Sequence, residues 1–149
     1  MANNKLDLLF KLESEKEEKL RLNFIQAEQN FHANQQKLNG LNDFRLEYSQ
    51  QLHQKAQQGL SSAGFGQYHA FISKIEEAIR QQANTVATAK RVVDQRRKLW
   101  LEQQVKAKAI AKLIEKKALE EQQRLAKAEQ KMLDEFATNI FMRRKLAQS

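Results

Sequence analysis

The sequence contains no cysteine and no proline. Without cysteine there can be no disulfide staple, thiolate nucleophile or thiolate-held metal. Without proline nothing is bound to break a helix. Only Gly40, Gly59, Gly64 and Gly66 weaken one. No apolar run approaches the ~18 residues of a membrane span. The opening MANNKLDLLFKLESEKEEK lacks a sustained apolar stretch with a small-residue cleavage site, so the expectation is a chain made and kept in the cytosol. No Gly-rich phosphate loop ending in Lys-Ser/Thr is present. His32, His53 and His69 form neither HExxH nor any close pair with ligand spacing. The chain therefore reads as a non-enzyme, with no catalytic, metal or cofactor residues and no small-molecule substrate.

What remains is rich in Ala, Leu, Lys, Glu and Gln, all good helix formers. Charged residues make up 30% and mean hydropathy is −0.75, too polar for a thick core. A narrow seam suits such a chain, because a coiled coil needs about two apolar positions in seven. The net charge of +8 is unevenly placed. Residues 1–57 balance eight basic against eight acidic groups, whereas 58–149 carry eighteen against ten.

From Leu20 the residues Phe24, Ala27, Phe31, Asn34, Leu38, Leu41, Arg45, Tyr48 and Leu52 follow steps of four and three, and only Asn34 and Arg45 are polar. This is a 3.5-residue repeat, in which a polar member can fix register. Upstream, Leu6, Leu8, Leu9, Phe10 and Leu12 crowd together without clean spacing. The run QQGLSSAGFGQ, with three of the four glycines, interrupts the repeat and predicts a turn over about residues 58–66. A second seam follows: Ile72, Ile75, Ile79, Gln82, Val86, Ala89, Val93, Arg96, Trp100, Gln103, Ala107, Ile110 and Ile114. Ala118 comes after a second consecutive step of four, a stutter. No alternating β-branched run predicts a strand.

The expected fold is all-α, a single domain over 1–149. Two long helices, about 4–57 and 67–144, form an antiparallel coiled-coil hairpin with the second helix longer. A turn near residue 62 sets residue i opposite roughly residue 124 − i, which leaves about 121–144 without a partner in the chain.

Three features could carry function. Beside the turn the apolar band is wider than one seam, with Leu38, Leu41, Phe44 and Tyr48 facing Phe71, Ile72, Ile75, Ala78 and Ile79. This is either a thickened end of the coil or a partner-binding patch. In the overhang, Met132, Leu133, Phe136, Ile140 and Phe141 make a helical stripe with nothing inside the chain to cover it: a frayed end, a surface packed against a second copy of the chain, or a helix that docks into a partner's groove or a ring's bore. Finally, Lys90, Arg91, Arg96, Arg97, Lys98, Lys106, Lys108, Lys112, Lys116 and Lys117 form a basic run against three carboxylates. Such runs are commonly solvated flanks, and the alternative is contact with an acidic protein surface or phosphates. Trp100 is its one aromatic and sits on the seam, so recognition by base stacking has little support.

The stretches LNDFRLEY (41–48), YHAFISKIEEAI (68–79), RRKLW (96–100) and KMLDEFATNIFMRRK (131–145), in this order and spacing, resemble the bacterial flagellar FliJ family. The resemblance covers about residues 6–145. It implies a component of the flagellar type III export apparatus at the inner membrane, shaped like the central stalk of rotary ATPases. Its partners would be the hexameric export ATPase, the cytoplasmic part of an export-gate membrane protein, and export chaperones. The gate contact would map onto Leu41, Phe44, Tyr48, Phe71, Ile75 and Ala78, a face on which Lys37 and Gln82 depart from the family pattern. Two other readings compete: a basic coiled-coil module for nucleic acid or anionic membrane, suggested by a pI near 9.8, and the equivalent stalk of a virulence injectisome.

Overall fold

The structure is a computed structural model that describes residues 2–148. Met1 and Ser149, the ends of the expected 1–149 domain, lie outside the described residues. It is all-α. Helix α1 runs Ala2–Gln57 and the longer α2 runs Ser62–Gln148. The two pack against each other as an antiparallel coiled coil, with no strand among the described residues. Their contacts gather into two compact units: Lys16–Gln103, and the first fifteen residues together with those from Gln104 onward.

The first of these units contains the turn. Its core is the seam that the spacing marked. Ala27, Ile75, Ala89 and Val93 are buried. Phe24, Phe31, Leu38, Leu41, Ile72, Ile79, Val86 and Trp100 are half-buried. Phe24 stacks on Trp100 with ring centroids 5.4 Å apart. Each apolar side chain fully withdrawn from water would contribute about 1.5–3 kcal/mol. Here many are only partly withdrawn, so stability is spread along the seam.

Polar members of the seam are bonded across it. Gln82 Nε2 donates to the Asn34 backbone carbonyl at 2.8 Å and to Asn34 Oδ1 at 3.1 Å. Asn34 Nδ2 in turn donates to the carbonyl of Asn30 at 2.9 Å. Arg96 Nη1 donates to the carbonyl of Asn23 at 3.1 Å. Arg45, expected on the seam, is exposed instead.

The turn is tighter than the glycine cluster suggested. Helix α2 starts at Ser62, so Gly64 and Gly66 are helical. Gly59 alone takes a positive φ, of 91°. Its N–H and that of Gln58 donate to the carbonyls of Ala56 and Lys55, closing α1. Ser61 then opens α2, its Oγ accepting from the N–H of Gly64 at 3.2 Å, an N-cap bond. Gly64 serves a different purpose from the one expected. A Cβ there would come within 2.7 Å of Leu60 Cδ1, so its bareness lets Leu60 lie over the first turn of α2. The short loop also tightens the register. Phe24 still meets Trp100, but nearer the turn Asn34 meets Gln82 and Tyr48 meets Tyr68.

In the second unit Ala107 is buried and Ile110, Ala111 and Ile114 are half-buried on α2. On α1, Leu6 is half-buried and Glu13 is buried, whereas Leu8, Leu9 and Leu12 are exposed. The crowded leucines thus straddle the seam instead of lining it. Beyond Ile114 every described residue is exposed, Ala118 included. The segment exposed along its whole length therefore begins at Glu115, earlier than the expected 121. It stays helical to Gln148 with help from its own side chains. Arg124 forks onto Glu121 at 2.6 and 3.1 Å, and Gln130 donates to Asp134 at 3.0 Å.

Candidate interaction surfaces

Near the turn, four rings from two helices meet. Phe71 lies 4.7 Å from Tyr48 and 6.1 Å from Phe44, the latter edge-on at 80°. Tyr48 also lies 5.0 Å from Tyr68. Such pairs each contribute about 0.5–1.5 kcal/mol beyond area burial. Lys55 Nζ sits 5.4 Å from the Tyr68 ring centroid. A hydrogen bond with Tyr68 raises its pKa above that of an ordinary lysine.

The six residues assigned to this face divide into two groups. Ile75 is buried, and Leu41, Tyr48 and Ala78 are half-buried, so these four hold the helices together. Phe44 and Phe71, at 44% and 39% exposure, turn their remaining surface to solvent. Tyr68 and Lys55 were missed. Tyr68 lies three residues before Phe71, on the same helix face, and that spacing was the available signal. Lys37 is exposed, whereas Gln82 is turned into the seam, where it bonds Asn34.

On the terminal segment the stripe stands clear of any other part of the described chain. Met132 is 71% exposed and Phe136 64%; Leu133, Ile140 and Phe141 are exposed as well. Met142 and Leu146, not foreseen, extend the apolar surface.

The basic run is divided between the two units. Lys90, Arg91, Arg97 and Lys98 belong to the turn-containing unit, and Lys106, Lys108, Lys112, Lys116 and Lys117 to the other. Arg96 stands apart from the rest of the run. It is half-buried and spends a guanidinium N–H on Asn23, because its position lies on the seam. Lys90 pairs with Asp94 at 3.2 Å and lies 5.8 Å from the Phe31 ring centroid.

Among the described residues no group of His, Cys, Asp and Glu could hold a metal ion. No described helix is long and apolar enough to cross a membrane.

No solved structure matches the chain. One curated relative, the "Flagellar FliJ protein" of Buchnera aphidicola subsp. Acyrthosiphon pisum (strain APS), is 29% identical over 107 residues, which span 70% of this chain and 72% of that protein. The family described as "Flagellar FliJ protein" matches residues 1–146. Nearly the full length of the hairpin is covered by that match, and the chain belongs to the flagellar FliJ protein family.

Proposed function

We propose that this chain is a non-enzymatic component of flagellar type III protein export. In this reading it is a stalk-like partner of the hexameric export ATPase, links that ATPase to the membrane export gate, and escorts export chaperones. The single observation that carries the reading is the terminal segment of α2. It is a helix inside a FliJ-family match, exposed along its whole length, with an apolar stripe at Met132, Phe136 and Ile140. Uncovered apolar surface of this kind fits a helix that docks into a groove or the bore of a ring. Phe44 and Phe71 offer a second, smaller surface for the gate.

The test is ATP hydrolysis by the purified export ATPase with and without the chain, together with co-sedimentation. Stimulation and co-sedimentation are expected, and both should fall on substituting Phe136→Gln. Failure of both with the native chain would refute the stalk role. For the gate, Phe71→Asp should abolish binding to the gate's cytoplasmic part while helicity by circular dichroism is unchanged. A large loss of helicity would instead assign Phe71 to the core.

A further inference from the structure

The stalk reading leaves the basic run unused, and in the unit that contains residues 104–148 that run has a specific layout. Between Gln104 and Lys117 there are five lysines and one carboxylate, Glu115. All five lysines are exposed, and among the described residues none has a carboxylate partner. Lys108, Lys112 and Lys116 recur every four residues, so they form one ladder on the helix. Like charges at this spacing repel, and an external anion would relieve them.

A second ladder runs beside the first. Val105, Ala109 and Leu113 also recur every four residues, and all are exposed, Val105 at 68%. The inward face of the same helix is Ala107, Ile110 and Ile114. At 100° per residue the apolar ladder therefore points away from α1. It has the lysine ladder on one side and Lys106 and Lys117 on the other. This is the layout of a helix that lies in a membrane interface: a shallow apolar strip, flanked by lysines whose ammonium groups reach phosphates.

Residue choice separates lipid from nucleic acid. A surface built to bind nucleic acid favours the arginine fork on phosphates and aromatic stacking on bases. Between Gln104 and Lys117 there is neither arginine nor aromatic residue. Lysine, a compact point charge on a flexible stem, suits a fluid array of headgroups.

We propose that the outer face of α2 over residues 105–117 binds the surface of a bilayer containing anionic phospholipid. The proposal does not depend on the export reading, because lipid binding and ATPase stimulation are separate measurements.

The test uses the full chain and sedimentation with vesicles of phosphatidylglycerol and phosphatidylethanolamine, against vesicles of phosphatidylcholine alone. Binding to the anionic vesicles only is expected, falling steeply as salt rises. The triple variant Lys108→Gln, Lys112→Gln, Lys116→Gln should lose about a hundredfold in partitioning, since each lysine near an anionic leaflet contributes about a factor of five. Leu113→Gln with Val105→Gln should weaken what binding survives moderate salt. Phe136→Gln with Phe141→Gln should leave partitioning unchanged. No sedimentation with anionic vesicles would overturn the proposal. So would equal binding by the triple variant, loss of binding in the Phe136/Phe141 variant, or tighter binding to duplex DNA than to anionic vesicles at the same salt.

Discussion

Substituting Gln82→Leu should destabilise the turn-containing unit, whereas adding Asn34→Leu to it should stabilise the same unit beyond the native level. The native pair is joined by two hydrogen bonds from one amide nitrogen, at 2.8 and 3.1 Å, at half-buried positions. A hydrogen bond of this kind contributes about 0.5–1.5 kcal/mol net, and a polar group left without its partner costs about 1–3 kcal/mol. Asn34 keeps its own bond to Asn30. Loss of Gln82 should therefore cost about 1 kcal/mol, near the low end. With both residues changed to leucine, no side-chain amide is left waiting, the backbone carbonyl of residue 34 stays within the α1 helix, and two half-buried leucines contribute roughly 1 kcal/mol each. The double variant should exceed the native chain by about 1–2 kcal/mol, a rise of several degrees in Tm. Adding Asn34→Leu to the Gln82→Leu chain should thus gain about 2–3 kcal/mol. Urea unfolding of the four proteins, followed by circular dichroism at 222 nm, supplies the cycle. A double variant less stable than either single would refute the reasoning. So would a Gln82→Leu variant as stable as the double.

Gly59→Ala should destabilise by about 1–2 kcal/mol, because a φ of 91° is poorly tolerated by any residue with a Cβ. By contrast, Gly40→Ala, mid-helix with open space around its Cα, should stabilise by about 0.5–1 kcal/mol. Ala89→Leu should cost about 1–3 kcal/mol in thermal unfolding, since Ala89 is 5% exposed and the helices have no room for the added carbons.

The apolar spacing alone made both seams legible. Steps of four and three found Ala27, Ile75, Ala89, Val93 and Ala107, all buried, because a two-helix coil has one way to hide a narrow stripe, but they did not reach back to buried Glu13. The turn was less legible. Three glycines and two serines in one run looked like a long loop, but a single positive φ at Gly59 makes the reversal. Ser61 begins the next helix at once. That N-cap was readable, and it outweighs the helix-weakening effect of Gly64 and Gly66. The sequence could not separate Arg45 from Arg96, two arginines at equivalent seam positions. One is exposed and the other bonds a carbonyl on the facing helix. That outcome depends on which backbone lies opposite, and spacing does not carry it. The apolar band beside the turn, read from spacing, holds the cluster of four rings. Which of its residues keep surface for a partner, Phe44 and Phe71, emerged only from how the rings lean on one another.

All of this depends on α1 and α2 folding back on each other at residues 58–61, and a distance across the seam tests that most directly. The chain has no cysteine, so Phe24→Cys with Trp100→Cys supplies the only two sites for spin labels. Packed helices lie about 8–10 Å apart, so the labels in dilute protein should report a separation of about 20 Å or less. A continuous helix through the glycines would separate them by on the order of 110 Å, and that distance would contradict the hairpin.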